Sequence, residues 1–304
     1  MATKKTLVLG FFFAGLSTTI GGMTVALTRL IIDQTDPLSL AALRYFLGGL
    51  ALAAILFLAK RAPKIHSGDW LILMALGIVM FGIFPYCMAR SLEDTTAARG
   101  GLLFAAMPLI TIVLGAMFGI EKLTFPKSLA VLIAMIGTAI ALGENIDAVA
   151  PNALTGDAYM FIGMFSVSIF NVFSRKYLKR YGNLALMTYT LFFGVSGLFI
   201  AACIYGSPFS GSLTFDIEGW IVIFLLAIPG GSIMFLSWGK ALQMISPTQA
   251  AITTGLNPFT AILLGAWLLS EPVSWQLLSG FLLVVSAIFI STRKNETKLS
   301  SVQG

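Results

Sequence analysis

Apolar residues occur along this chain in long blocks separated by short polar stretches. Ten blocks can be marked: Leu7–Ile32, Leu38–Ala59, Asp69–Ser91, Ala97–Gly119, Pro126–Gly143, Gly156–Leu178, Asn183–Tyr205, Ile217–Lys240, Pro247–Leu269 and Ser274–Ser291. A helix needs about 20 mostly apolar residues to cross a bilayer. Most blocks reach that length, and the fifth and tenth are the shortest. The pattern predicts an all-α integral membrane protein with ten transmembrane helices. The start, with Lys4 and Lys5 ahead of the first block, has the look of a signal peptide. However, its apolar run continues to Ile32 without a clear small-residue cleavage site, whereas a signal peptide's apolar region is about 7–15 residues. It is read as an uncleaved first span.

One stretch occurs twice. MPLITIVLGAMFGIE, residues 107–121, is echoed by NPFTAILLGAWLLSE, residues 257–271. Pro108 and Pro258, Gly115 and Gly265, and Glu121 and Glu271 each stand 150 residues apart, and Ile112/Ile262, Leu114/Leu264 and Ala116/Ala266 also match. Arg90-Ser91-Leu92 aligns with Lys240-Ala241-Leu242 at the same spacing. Arg29 aligns with Arg175 if the second copy is four residues shorter. Spans 1–5 and 6–10 are therefore two copies of one unit. Five is odd, so the second copy enters the membrane upside down, a recurrent transporter plan. The expected organisation is a first five-helix repeat over 1–143, an external linker over 144–155, a second, inverted repeat over 156–292 and a basic cytoplasmic tail over 293–304.

Composition sharpens this picture. The chain is 58% hydrophobic and 11% charged, with mean hydropathy +0.93. About 25% charge is usual for a soluble domain, so lipid, not water, is the expected surroundings. The net charge of +6 comes from placement, not from a nucleic-acid surface. With the N-terminus inside, every Lys and Arg except Arg29, Arg44, Arg90 and Arg99 falls in an inner loop or tail, as the positive-inside rule requires. Both termini are then cytoplasmic. Cys87 and Cys203 lie in apolar runs and read as small buried hydrophobes. His66 is a loop residue beside Ser67 and Asp69, with no triad geometry implied. No P-loop, metal-ligand cluster or enzyme signature is found. No cofactor or metal is expected.

Ten spans, two five-helix halves and a Pro…Gly…Glu signature closing the fourth helix of each half resemble the EamA-type branch of the drug/metabolite transporter superfamily, over about residues 7–292. The resemblance implies transport of small metabolites such as amino acids or nucleosides across a bacterial inner membrane. The motif marks the fold more than the substrate.

Candidate residues follow from polar groups placed in apolar segments. Pro108 and Pro258 fall at the centres of spans 4 and 9. Each removes an N–H and pushes on the carbonyl four residues back, at Phe104 and Thr254. A backbone group left unpaired in hydrocarbon costs several kcal/mol and must find a partner. Paired breaks in matching helices point to a central site, and Thr253, Thr254 and Asn257 flank one of them. Pro229 and Gly230 punctuate span 8, and Gly82 and Pro85 punctuate span 3. Asn171 is an amide inside an apolar segment and should face the protein interior. Tyr86 and Trp238 are either pocket walls or aromatic-belt residues. Thr18, Thr19 and Thr24 either line span 1 or bond back to the preceding turn. Arg44, within span 2, either snorkels outward or anchors a substrate carboxylate at the outer mouth. Gly115 and Gly119 read as a packing motif. Glu121 and Glu271 read as turn residues, with a gate contact as the alternative.

The candidate set is thus Tyr86, Asn171, Trp238, Thr254, Asn257 and Arg44 for substrate, and Pro108, Pro258, Pro229 and Gly230 for helix breaks. No acidic residue lies near a span centre, which counts against exchange of cationic drugs on a buried carboxylate. The expected function is secondary-active, alternating-access export of small neutral or zwitterionic metabolites. The expected partners are substrate and bilayer, not nucleic acid, with the protein a monomer or homodimer. A multidrug exporter and a non-transporting scaffold or receptor are the alternatives.

Overall fold

The computed structural model describes residues 4–31, 34–60, 62–94, 106–142, 153–209, 213–269 and 275–292. Among them the regular structure is all helical, with no strand. Six stretches are long and apolar enough to cross a membrane: Lys5–Thr28, Pro37–Leu58, Ser67–Met88, Leu154–Tyr181, Asn183–Tyr205 and Ile217–Met244. They correspond to spans 1–3 and 6–8. Met107–Met117, Phe125–Ile140 and Leu278–Ser291 are shorter apolar helices. The ninth block is divided into α11 (Pro247–Ile252), a 3₁₀ turn (Thr253–Leu256) and α12 (Asn257–Leu269).

The first half comprises α1 (Lys4–Ile31), α2 (Pro37–Leu58), α3 (Trp70–Gly77), a π-helical segment (Ile78–Ile83), α4 (Phe84–Asp94), α5 (Met107–Met117) and α6 (Phe125–Leu142). The second comprises α7 (Ala153–Tyr181), α8 (Asn183–Tyr205), α9 (Ile217–Ala227), a second π segment (Ile228–Ile233), α10 (Met234–Met244), α11, α12 and α13 (Trp275–Thr292). Local chemistry sets several starts. Asp36 caps α2 by accepting from Ser39 N at 2.9 Å, with Pro37 in the first turn, where its missing N–H costs nothing. Ser246 and Gln249 form a reciprocal capping box on α11.

The two π segments stand 150 residues apart, the same spacing as the repeated prolines. Each adds a residue to one turn, widens it and interrupts the regular hydrogen-bond ladder. A glycine from a neighbouring helix fills each wide turn. Gly48 of α2 lies so close to the second segment that a Cβ would come within 2.8 Å of Ala227 O and 3.1 Å of the Gly231 backbone. Gly194 of α8 meets the first segment in the same way, with its missing Cβ 2.8 Å from the Phe81 carbonyl carbon and in collision with Gly77 O. Gly77 and Ala227, like Phe81 and Gly231, occupy matching positions at that spacing.

Each half also lends its first helix to the other. α1 packs along α10 and α12, whereas α7 packs along α4 and α5. Ser17 of α1 donates to Met234 O at 2.8 Å. At the matching place, a Cβ on Gly163 of α7 would lie 3.7 Å from Phe84 O. The result is two interlocked units, α1 with α10–α12 and α7 with α3–α5. α6 and α13 pair along their length beside them. The core joins both units through buried Phe81, Phe170, Met164, Leu186 and Leu191. The outer surface carries Phe12 (60% exposed), Phe224 (61%) and Trp267 (78%), a surface that suits hydrocarbon and not water.

The end of α5 resolves the repeated motif. Gly119 adopts φ +64, which glycine reaches without steric cost. Gly119 N donates to Ala116 O, and Ile120 N donates to Gly115 O at 2.8 Å, the paired bonds that terminate a helix. Gly115 and Gly119 are therefore a helix stop here, not a helix–helix contact. The chain folds Glu121 back until its Cβ lies 3.1 Å from where a Cβ on Gly115 would be.

Candidate functional site

A polar side chain inside the bundle must find a partner or pay a desolvation cost. α7 carries Ser168, Asn171 and Ser174, three residues apart and so on one helix face, all fully buried. Ser168 Oγ accepts from Thr111 Oγ1 of α5 at 3.1 Å and donates to Met107 O at 3.4 Å. Asn171 Oδ1 accepts from Trp238 Nε1 of α10 at 2.9 Å. The first pair stays within one interlocked unit, and the second crosses between the two. Asn171 Nδ2 and Ser174 Oγ have no hydrogen-bond partner among the described residues. Trp238 is 5% exposed, so these groups lie in closed packing and not on the wall of an open chamber.

At the broken ninth block, the carbonyl that Pro258 displaces is paired again locally. Asn257 N–H donates to Thr254 O through the 3₁₀ turn. Thr253 and Thr254 hydroxyls donate to Ala250 O and Ala251 O, so neither hydroxyl is free to line a pocket in this conformation. Asn257 Oδ1 is buried without a partner among the described residues and lies 3.0 Å from where a Cβ on Gly21 of α1 would stand. Pro108 begins α5 in the same way that Pro258 begins α12. Its displaced carbonyl at Phe104 lies outside the described residues, as do residues 271–274 with Glu271.

Pro229 and Gly230 lie inside the second π segment. Gly230 has the Thr24 methyl pressed against it, and Ser232 Oγ donates to Gly48 O at 2.9 Å. Thr18 and Thr24 bond back to Gly15 O and Gly21 O, and Thr19 is exposed. α1 therefore contributes backbone proximity more than free hydroxyls.

Arg44 of α2 is partly buried. Its guanidinium carbon sits 4.7 Å from the Tyr45 ring centroid, and its Nε is buried without a hydrogen-bond partner among the described residues. Tyr45 in turn touches Phe81 and Phe235 at centroid distances of 6.3 and 5.7 Å. This places a fixed positive charge beside the aromatic cluster between the two π segments. No carboxylate pairs with it among the described residues. Tyr86 lies apart from these groups, against Tyr159 and Tyr205. Tyr159 precedes Asn171 by twelve residues on α7, about 18 Å of helix, so Tyr86 belongs to one end of the bundle. The Thr111–Ser168 pair is not among the residues that sequence reasoning singles out, although the three-residue hydroxyl spacing on α7 is a signal that finds it.

Fold and geometry together define a multi-pass helical membrane protein whose polar groups meet where two interlocked units touch. The EamA-like transporter family model matches residues 8–143 and again residues 154–293. The chain belongs to this family and carries its two-repeat architecture. It is 24% identical over 279 residues to the uncharacterized transporter YoaV of Bacillus subtilis (strain 168), covering 90% of this chain and 94% of the relative. It is 22% identical over 289 residues to a probable amino-acid metabolite efflux pump of Salmonella typhimurium (strain LT2), covering 92% and 93%. A protein crystal structure at 20% identity superposes with a TM-score of 0.79 over 96% of this chain and 97% of its own, a likeness of fold. The protein is a transporter of the EamA type.

Proposed function

We propose that the protein is a secondary-active transporter that exports small neutral or zwitterionic metabolites, such as amino acids, across the bacterial inner membrane by alternating access. Its ten spans form two inverted five-helix halves, with both termini cytoplasmic. The observation that carries this reading is the Asn171–Trp238 bond, which joins the two interlocked units in mid-bundle and leaves Asn171 Nδ2 unpaired among the described residues. An unpaired donor there is costly unless something accepts from it, and a substrate oxygen would. Arg44, without a carboxylate partner among the described residues, offers a second anchor for a substrate carboxylate, with charge assistance that a neutral donor lacks. The buried rings of Phe81, Phe170 and Phe235 packed nearby would suit the rest of an amphipathic solute once the two units part. The Salmonella relative's name points to the same substrate class.

The test is flux in proteoliposomes against an amino-acid and nucleoside panel. Flux above empty vesicles is expected for at least one zwitterionic solute, with about a tenfold loss for Asn171→Ala and for Arg44→Gln, the equivalent of one good hydrogen bond to a charged group. No flux for any solute, or full flux in both variants, would overturn the reading.

A further inference from the structure

Glu121 is a buried carboxylate, 7% exposed, at the end of the bundle where α11 begins. Its Oε2 accepts from both Thr248 N at 3.2 Å and Thr248 Oγ1 at 2.9 Å. Its Oε1 is paired with Lys127. Thr248 itself is fully buried. Lys127 stands six residues after Glu121, at the start of α6, so that pair closes a turn within the first half. The Thr248 bonds differ, because they run from the end of α5 to α11 and so from one interlocked unit to the other. α11 is a short capped piece, further tied by Gln249 Nε2 donating to Ser291 O at 2.8 Å, with the 3₁₀ turn Thr253–Leu256 between it and α12.

We infer that Glu121 is a positioning residue for transport and that, with Thr248, it forms a latch holding this end of the bundle shut. The inference rests on the alternating-access reading above. Separating α5 from α11 at this end requires Glu121 to lose both Thr248 donors. Charge-assisted bonds of this kind are the strong ones, and their loss leaves a desolvated carboxylate held by Lys127 alone. Gly115 supplies the room for Glu121 to fold back into the contact. The Gly…Glu part of the repeated motif thereby acquires a mechanical role, because the helix stop aims the carboxylate at the other unit. The 3₁₀ turn just beyond α11 is the place where the ninth block bends as the latch opens.

The test uses the full-length protein in proteoliposomes with Cys87 and Cys203 replaced by alanine and Thr254→Cys as reporter. Thr254 is 6% exposed and lies immediately beyond α11. Its labelling rate is followed with a membrane-impermeant maleimide applied to either face. Glu121→Ala is expected to raise labelling from one face by about tenfold, Thr248→Ala by severalfold, and Lys127→Gln by less than Thr248→Ala. Thr248→Ala deletes only the hydroxyl bond, so it carries the test if Glu121→Ala fails to fold by size exclusion. Labelling in both variants at the unmodified rate overturns the latch while leaving alternating access intact. A larger rise for Lys127→Gln than for Thr248→Ala makes Glu121 a turn residue and also overturns it. No labelling of any variant from either face removes both the latch and the alternating-access reading.

Discussion

Both wide turns seat a glycine of a neighbouring helix, and the segment Ile78–Ile83 also carries a buried aromatic ring of its own. Phe81 is fully buried and meets Phe235 edge-on at a centroid distance of 4.7 Å and Phe170 at 5.9 Å. Around Ile228–Ile233 the matching position is Gly231, which carries no ring, and the α2 backbone seated there is secured by the Ser232 hydroxyl on Gly48 O. In the first segment the residue matching Ser232 is Gly82, which has no hydroxyl to make such a bond. One backbone device, the glycine seat, is thus reinforced by ring packing in one half and by a hydrogen bond in the other. Dispersion against close-packed rings is summed over many atoms and lost only if the rings part. A single hydroxyl bond inside a membrane protein is worth about 0.6–1.7 kcal/mol and is easily exchanged. The second segment, next to α10 with Trp238, is therefore expected to be the softer of the two.

This contrast can be broken most severely at Phe81. Phe81→Ala is expected to destabilise by about 3–5 kcal/mol, read from thermal unfolding in detergent. A loss below about 1 kcal/mol would show that packing is not what holds the first segment. Gly194→Ala drives a methyl into Phe81 and Gly77 O and should cost about 1–3 kcal/mol, with the melting temperature again the readout; an unchanged value would mean that α8 is not seated in the wide turn. Ser232→Ala should cost about 1 kcal/mol and leave the first segment untouched. It is best measured as a double-mutant cycle with Phe81→Leu, where additivity is expected because the two sites hold different segments. The smallest effect sharpens the contrast. A Cβ on Gly82 would sit 3.4 Å from Gly194 O, ordinary contact distance, so Gly82→Ser is expected to stabilise by less than about 1 kcal/mol by copying the Ser232 bond. A fall in stability would show that the two seats are not equivalent.

Much of the fold is legible from local rules. Proline at 108 and 258 starts α5 and α12, as a residue without an N–H can do in a first turn. The 150-residue spacing anticipates matching elements, and the π segments obey it; Pro229 and Gly230 mark the second in the sequence and Gly82 the first, as interruptions whose helix type the sequence does not specify. The helix stop at Gly119 reads as packing from sequence, because G-x-x-x-G is shared by both uses and only φ distinguishes them. Asn171 and Trp238 are each visible as polar groups in apolar blocks. That they bond to each other across 67 residues is not visible, nor that Tyr86 lies at one end of the bundle instead of beside them.

The chain by itself determined that its structure is helical, that its surface is apolar and that its architecture is duplicated. These depend on block length, charge content and neighbours within a turn. Tertiary structure alone decided which helix faces meet. In lipid, packed and exposed faces are both apolar, so no hydrophobic stripe marks the contact side as it does in water. Contacts such as Glu121 with Thr248, 127 residues apart, depend on helix rotation and crossing, which no local pattern encodes.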